Sequence, residues 1–230
     1  PALAAIPAVT ASATSTFTFT GDAENTTQCA VDSGRWAPCT SPFTTAALPE
    51  GAHSFSVREV DAAGNPGPAA SGSWTIDATA PAAVVVGGIP ASPTSAQTAS
   101  LTLTIDDGAG LRCRIDGAGD PAACPATPPS PMPPSGQPVP YTLALSGLAD
   151  GPHQVVAWQV DAAGNAGDVA STSWTVDTTP PSAAPVLGGT PTGSSASTSA
   201  TVTIAVQDGN AVECSLDGAA YSACTSPHAI

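Results

Sequence analysis

From Thr14 to Thr20 the chain reads TSTFTFT, a strict polar and apolar alternation that sets Phe17 and Phe19 on one face of a half-buried strand. The alternation returns as LTLTI from Leu101 and TVTIAV from Thr201. Each of these strands is followed by a second one carrying a cysteine and then a turn: Cys29 before Asp32-Ser33-Gly34, Cys113 before Asp116-Gly117, and Cys214 before Asp217-Gly218. Aspartate and glycine at that spacing support a tight hairpin. Two later segments, His53 to Asp61 and Ser73 to Asp77, flank the turn pair Gly64-Asn65. No segment sustains a 3.6-residue period, and proline and glycine interrupt every stretch long enough to try. Short strands with turns every eight to twelve residues or so predict antiparallel β-sandwiches of about seven strands each.

The pattern is duplicated. His53 to Pro81 reads HSFSVREVDAAGNPGPAASGSWTIDATAP, and His153 to Pro181 reads HQVVAWQVDAAGNAGDVASTSWTVDTTPP. Repetition at this scale divides the chain into repeat 1 (1–80), repeat 2 (81–181) and the first half of repeat 3 (182–230). Repeat 2 alone carries PATPPSPMPPSGQPVP at 125–140, with eight prolines in sixteen residues. Such a segment is expected to leave the sheet as a semi-rigid polyproline excursion on the surface. Repeat 3 lacks the DAAGN and WTVD strands, so the natural polypeptide is expected to continue, or another chain to supply them.

Composition narrows the partners. Eighteen acidic residues stand against four arginines (Arg35, Arg58, Arg112, Arg114) and no lysine, a net charge of −14. Nucleic acid and anionic membrane surfaces need a basic face that this chain lacks. No apolar run is long enough to read as a membrane span. The six cysteines fall as one pair per repeat, Cys29 with Cys39, Cys113 with Cys124 and Cys214 with Cys224, which reads as one local disulfide per repeat and an oxidising, extracellular compartment. Closing a loop of that length stabilises each unit by roughly 3 kcal/mol in the chain-entropy model.

Together, the Cys-x-(Val/Ile/Leu)-Asp turn, Gly-x-His, Val-Asp-Ala-Ala-Gly-Asn and Trp-Thr-(Ile/Val)-Asp-x-Thr-x-Pro resemble the bacterial immunoglobulin-like repeats strung along large secreted and surface proteins. The resemblance implies an elongated rod of sandwiches with the third unit incomplete. On an immunoglobulin-like frame, the loops after the second and sixth strands lie at the pole where the preceding linker arrives. That frame gathers Asp106 and Asp107, Asp161 and Asn165, and linker residue Asp77 at the junction of repeats 1 and 2. Oxygen ligands of this kind suit Ca²⁺, and these five residues are its candidate ligands; side-chain turn chemistry explains the same residues without an ion, and no cofactor is required.

An enzyme needs a nucleophile, a base and an orienting group in one pocket. His53 and His153 instead occupy the same position in two repeats, without a unique partner for either. Trp74 and Trp174 recur on the last strand as core residues, while Trp36 and Trp158 are expected to pack on a neighbouring hairpin, with stacking on sugar as the alternative. The expected function is a non-enzymatic structural stalk or adhesin-like spacer, secreted or at the cell surface. The alternatives are a fibre subunit completed by strands from another chain, and accessory repeats of an exported enzyme. Its partners are then neighbouring repeats or subunits of the same protein.

Overall fold

The computed structural model describes residues 1–117, 124–206 and 210–230. The chain divides into two units, Pro1–Asp177 and Thr178–Ile230. It is all-β, with no helix among the described residues.

In repeat 1 the strands are β1 (Ala2–Leu3), β2 (Val9–Thr10), β3 (Thr16–Phe17), β4 (Phe19–Thr20), β5 (Thr26–Val31), β6 (Ala37–Pro38), β7 (Phe43–Thr44), β8 (Gly51–Val60) and β9 (Ala70–Ile76). One layer is a five-stranded sheet in the order β2-β9-β8-β5-β6; the other is formed by the pairs β1-β4 and β3-β7. Alternation along each strand sends every second side chain inward. Phe17 and Phe19 from one layer meet Phe55, Val57, Trp74 and Ile76 from the other. Phe55 is fully buried, and its ring stacks on Phe17 at 4.4 Å and on Phe43 at 5.5 Å.

Repeat 2 repeats the plan with β10 (Val85–Gly87), β11 (Thr98–Ile105), β12 (Gly110–Ile115), β13 (Val139–Ser146), β14 (Gly151–Val160) and β15 (Ala170–Val176). Its sheets are β10-β11-β13 and β12-β14-β15. The core is aliphatic where repeat 1 is aromatic: Leu101, Leu103 and Leu143 face Val155, Ala157 and Trp174. The two cores are separate clusters. Both repeats are immunoglobulin-like sandwiches.

The first strand of each repeat changes layers. In repeat 1, β1 pairs antiparallel with β4, after which β2 pairs parallel with β9 (Val9 with Thr75, Thr10 with Ile76). In repeat 2, β10 pairs antiparallel with β11, and Thr94 then bridges parallel to Val176. All three disulfides are formed, Cys29–Cys39, Cys113–Cys124 and Cys214–Cys224, and the first and third tie a strand to the far arm of its own hairpin. The amide of Cys39 donates to the Thr27 carbonyl at 3.1 Å, and that of Cys224 to the Val212 carbonyl at 3.1 Å, so these hairpins share one register.

The proline-rich segment departs from a free excursion at both ends. Thr127 exchanges backbone hydrogen bonds with Thr142, and Val139 and Pro140 belong to β13, opposite Ile105 and Thr104. Proline enters this strand because β13 lies at a sheet edge, where its missing N–H breaks no ladder. Val139 is buried in the core of repeat 2.

Unit Thr178–Ile230 holds β16 (Val186–Gly188), β17 (Thr201–Ala205) and β20 (His228–Ala229) in one sheet, and the hairpin β18 (Glu213–Cys214) with β19 (Ser222–Ala223). Separate cores make a sharp forecast for core truncation. Phe55→Ala should cost repeat 1 about 3–5 kcal/mol, the range for emptying a buried phenylalanine. Hydrogen exchange read peptide by peptide should show that loss along β5, β8 and β9, with the protection of β11 to β15 nearly unchanged.

Candidate functional site

The loop Asp61-Ala62-Ala63-Gly64-Asn65 joins β8 to β9, and Asp161-Ala162-Ala163-Gly164-Asn165 joins β14 to β15. In both, one carboxylate oxygen of the aspartate accepts the amides two and four residues on, and the other accepts the asparagine side-chain amide. The asparagine side chain is the main cause holding the carboxyls of Asp61 and Asp161 below the ordinary 3.8, with backbone amides adding to it. Burial works against the shift in each case. The loop therefore aims the asparagine amide outward at a fixed angle.

In repeat 1 that loop is exposed; in repeat 2 it meets the linker from repeat 1. Asn165 Nδ2 donates to the Asp77 carbonyl at 2.7 Å and lies 3.5 Å from the Thr79 carbonyl. Gln159, 1% exposed, completes the clasp: its Nε2 donates to the Ala82 carbonyl at 2.6 Å and to Asp106 Oδ2 at 2.9 Å, while its Oε1 accepts the Asp106 amide at 2.8 Å. Gly167 leaves room for the linker. A Cβ there would lie 2.6 Å from the Pro81 oxygen and 2.8 Å from that of Ala82, whereas at Gly67 in repeat 1 the nearest atom would be 3.6 Å away.

Of the five residues expected to ligate calcium, the junction brings together Asp77, through its carbonyl, with Asp161 and Asn165, and joins Asp106 to the same linker through Gln159. Asp107 turns elsewhere: its Oδ2 accepts Ser135 Oγ at 3.1 Å and the Gly136 amide at 2.8 Å, tethering the proline-rich segment. Those contacts lower its pKa, the Gly136 amide first. Among the described residues, no three His, Cys, Asp or Glu side chains converge to hold a metal ion. The carboxylate oxygens of Asp161, with Asp106 Oδ2, already accept N–H donors, so the group fits an amide clasp better than a cation cage. The sequence hides Gln159 because position 59 in repeat 1 is Glu, and hides the role of Gly167 because the matching Gly67 stands in open surroundings.

A second constellation occurs once in each complete repeat. Asp32 and Asp116 occupy the left-handed region (φ 49° and 51°) at the hairpin turn. There Asp32 Oδ2 accepts His53 Nδ1 at 2.7 Å and Asp116 Oδ2 accepts His153 Nδ1 at 2.8 Å. The other ring nitrogen of each histidine faces a carbonyl at 2.8 Å, Pro49 for His53 and Ala149 for His153. Both nitrogens thus face acceptors, which only the doubly protonated ring satisfies. Trp74 and Trp174 lie beside these rings, 5.5 and 5.8 Å between centroids, where an indole face favours a cation. The pKa of each histidine is raised above 6.5, first by the carbonyl and next by the aspartate, against its own burial. Burial opposes ionisation of Asp32 and Asp116, but the amides of Ser54 and Gln154 and the histidines outweigh it and hold both below 3.8.

At the surface, the Arg58 guanidinium lies 4.3 Å from the Trp36 ring centre and donates twice to Gln28 Oε1. Arg114 sits 5.8 Å from the Trp158 ring. These faces are occupied by the protein's own cations.

No family model matches the chain, and no curated protein matches it. Among solved structures, the fibronectin(III)-like modules of Clostridium thermocellum CbhA align at 16% identity and a TM-score of 0.44, covering 73% of this chain and 87% of theirs.

Two measurements check the site. Gly167→Ala should expose the linker at 78–82 to protease while Gly67→Ala leaves it resistant. The histidine–aspartate pairs set a pH window: the histidine contribution is complete below 6.5 and fades as pH rises through the raised folded values, while the aspartate contribution is complete above 3.8 and fades as pH falls through the lowered ones. Stability should peak between these limits, and Asp32→Ala together with Asp116→Ala should flatten the decline on the alkaline side.

Proposed function

We propose that this chain is a non-enzymatic, extracellular, load-bearing spacer of a secreted or cell-surface protein, of the bacterial immunoglobulin-like kind that its motifs resemble. The observation that carries this reading is the parallel pairing of first and last segments in each complete repeat. Thr75 and Asp77 donate to the Ala8 and Thr10 carbonyls at 2.9 Å each. In repeat 2 the Thr94 amide donates to Thr175 and Asp177 donates back to Thr94, at 2.9 and 2.8 Å. When two paired strands run in the same direction, tension applied at the start of one and the end of the other slides them along their common axis. The bonds between them are then sheared together instead of opening one by one. That arrangement suits a stalk under tension.

The disulfides support the same reading. Disulfides of this kind persist in oxidising compartments, which fits an extracellular chain. Each also removes a hairpin from the extensible length: the Cys29–Cys39 link spans a separation of 10 residues, about 30 Å of contour. Duplicated motifs with duplicated histidine–aspartate pairs fit scaffolding, since a reaction centre needs one set of groups in one place.

Pulling the whole chain by its ends should give two discrete high-force events, one for each complete repeat, and reduction should lengthen each by about 30 Å. Thr94→Pro, which removes one donor of the second clamp, should lower the force of one event only. Low forces at both repeats, unchanged by this substitution, would end the load-bearing reading. Calorimetric titration of Ca²⁺ into the whole chain should release no saturable heat, because amides already satisfy the junction. A saturable heat that disappears in Asp161→Ala would instead assign an ion there.

A further inference from the structure

With eighteen acidic side chains and four arginines in the sequence, an anion is within easy supply of every guanidinium. Among the described residues, no arginine forms an ion pair. Two of them, Arg112 and Arg114, stand on β12. Their neighbours on that strand, Leu111 and Cys113, are buried in the core, so alternation turns both arginines onto the outer face of the sheet β12-β14-β15. None of these three strands contains a carboxylate; Asp106, Asp116 and Asp161 lie in the loops at their ends.

Repeat 1 shows how such a face is made inert. Arg58 lies over Trp36 and gives both Nε and Nη2 to Gln28 Oε1, at 3.1 and 2.9 Å, so its fork is taken. At the position of Gln28, repeat 2 has Arg112, which stands opposite Trp158 on β14. Arg114 takes the place of Ala30, opposite Val156, and lies over the Trp158 ring at 5.8 Å. Apart from a 3.5 Å contact of Arg112 Nη1 with the adjacent Leu111 carbonyl, no hydrogen bond holds either guanidinium among the described residues. The amide beside them is engaged, Gln154 Nε2 donating to Ser171 Oγ at 3.3 Å.

We propose that this face of repeat 2 is a docking site for an extended acidic polypeptide segment in which glutamate or aspartate alternates with uncharged residues. Charge selects the partner: the face offers two unpaired cations whose planar N–H forks each engage a carboxylate through two bonds. Spacing selects its conformation. Residues two apart on a strand lie about 7 Å from each other, so Arg112 and Arg114 match alternate side chains of a second extended chain laid over β12. Two cations do not make the continuous basic track that nucleic acid requires. A neutral sugar fits less well, because Arg114 covers the Trp158 ring on which it would stack. The loop carboxylates repel an acidic segment from afar, but at 0.1 M salt their field fades over about 10 Å and leaves the contact itself to the arginines. The site does not rest on the spacer reading: it would stand if both clamps proved weak.

The test adds two labelled peptides of equal length and charge to the whole oxidised chain and follows fluorescence anisotropy. In one peptide glutamate alternates with threonine; in the other, adjacent pairs of glutamate are separated by pairs of threonine. The alternating peptide is expected to bind saturably, about three- to tenfold more tightly than the paired one, and to weaken as salt rises. Arg112→Gln and Arg114→Gln should each weaken it about three- to tenfold, and Arg114→Lys, which keeps the charge without the fork, about twofold. Arg58→Gln in repeat 1 should leave it unchanged. Absence of saturable binding, equal affinity for the two peptides, or affinity indifferent to both Arg112→Gln and Arg114→Gln would overturn the proposal. So would displacement of the peptide by polygalacturonate at a lower concentration of carboxylate, which would assign the face to an acidic glycan.

Discussion

The pairing of β8 against β5 in repeat 1, and of β14 against β12 in repeat 2, is the constraint on which the rest depends. In repeat 1, β8 lies along β5 from Thr26 opposite Val60 to Val31 opposite Phe55, and β14 lies along β12 in the same manner. That contact carries Phe55 and Val57, or Val155 and Ala157, into the core. It also brings each histidine to the aspartate of the hairpin turn. The next strand then offers the parallel edge that clamps the start of the repeat. Removing this one strand would remove the core, the charged pair and the clamp together, so each sandwich closes as a unit.

The protein uses two kinds of polar fastening, and their chemistry differs with place. Inside each repeat the fastening is a histidine held by a carboxylate, a carbonyl and an indole, surroundings that favour the protonated ring. In a chain of net charge −14 a buried cation relieves some of the repulsion among carboxylates. Between the repeats the fastening is neutral. The amides of Asn165 and Gln159 hold the backbone carbonyls of Asp77 and Ala82, bonds that depend little on pH or salt.

Much of the fold was legible in the residues. Alternation at Thr14–Thr20 and from Leu101 marks strands that observe the expected facing, with Phe17, Leu101 and Leu103 all buried. The aspartates that begin the turns do adopt positive φ, as turn chemistry anticipates. Contacts remote in sequence were not legible. His53 and Asp32 lie 21 residues apart, Asn165 and Asp77 lie 88 apart, and nothing local joins them. At the junction the DAAGN loop meets the linker, and Asn165 presents its amide nitrogen to the Asp77 carbonyl. Proline density at 125–140 concealed that Val139 and Pro140 belong to an edge strand, because proline is excluded only from the interior of a sheet.

Among the described residues, the cysteine-bearing strand of the third unit pairs with β19 alone, in the register of the repeat-1 hairpin. The most direct measurement is native-state hydrogen exchange across the three cysteine-bearing strands of the whole chain. Residues 26–31 and 110–115 are expected to exchange only through the opening of an entire repeat, whereas 212–216 should exchange faster by orders of magnitude. Equal protection of all three strands would contradict the account, because the hairpin would then need no partner strand to be stable.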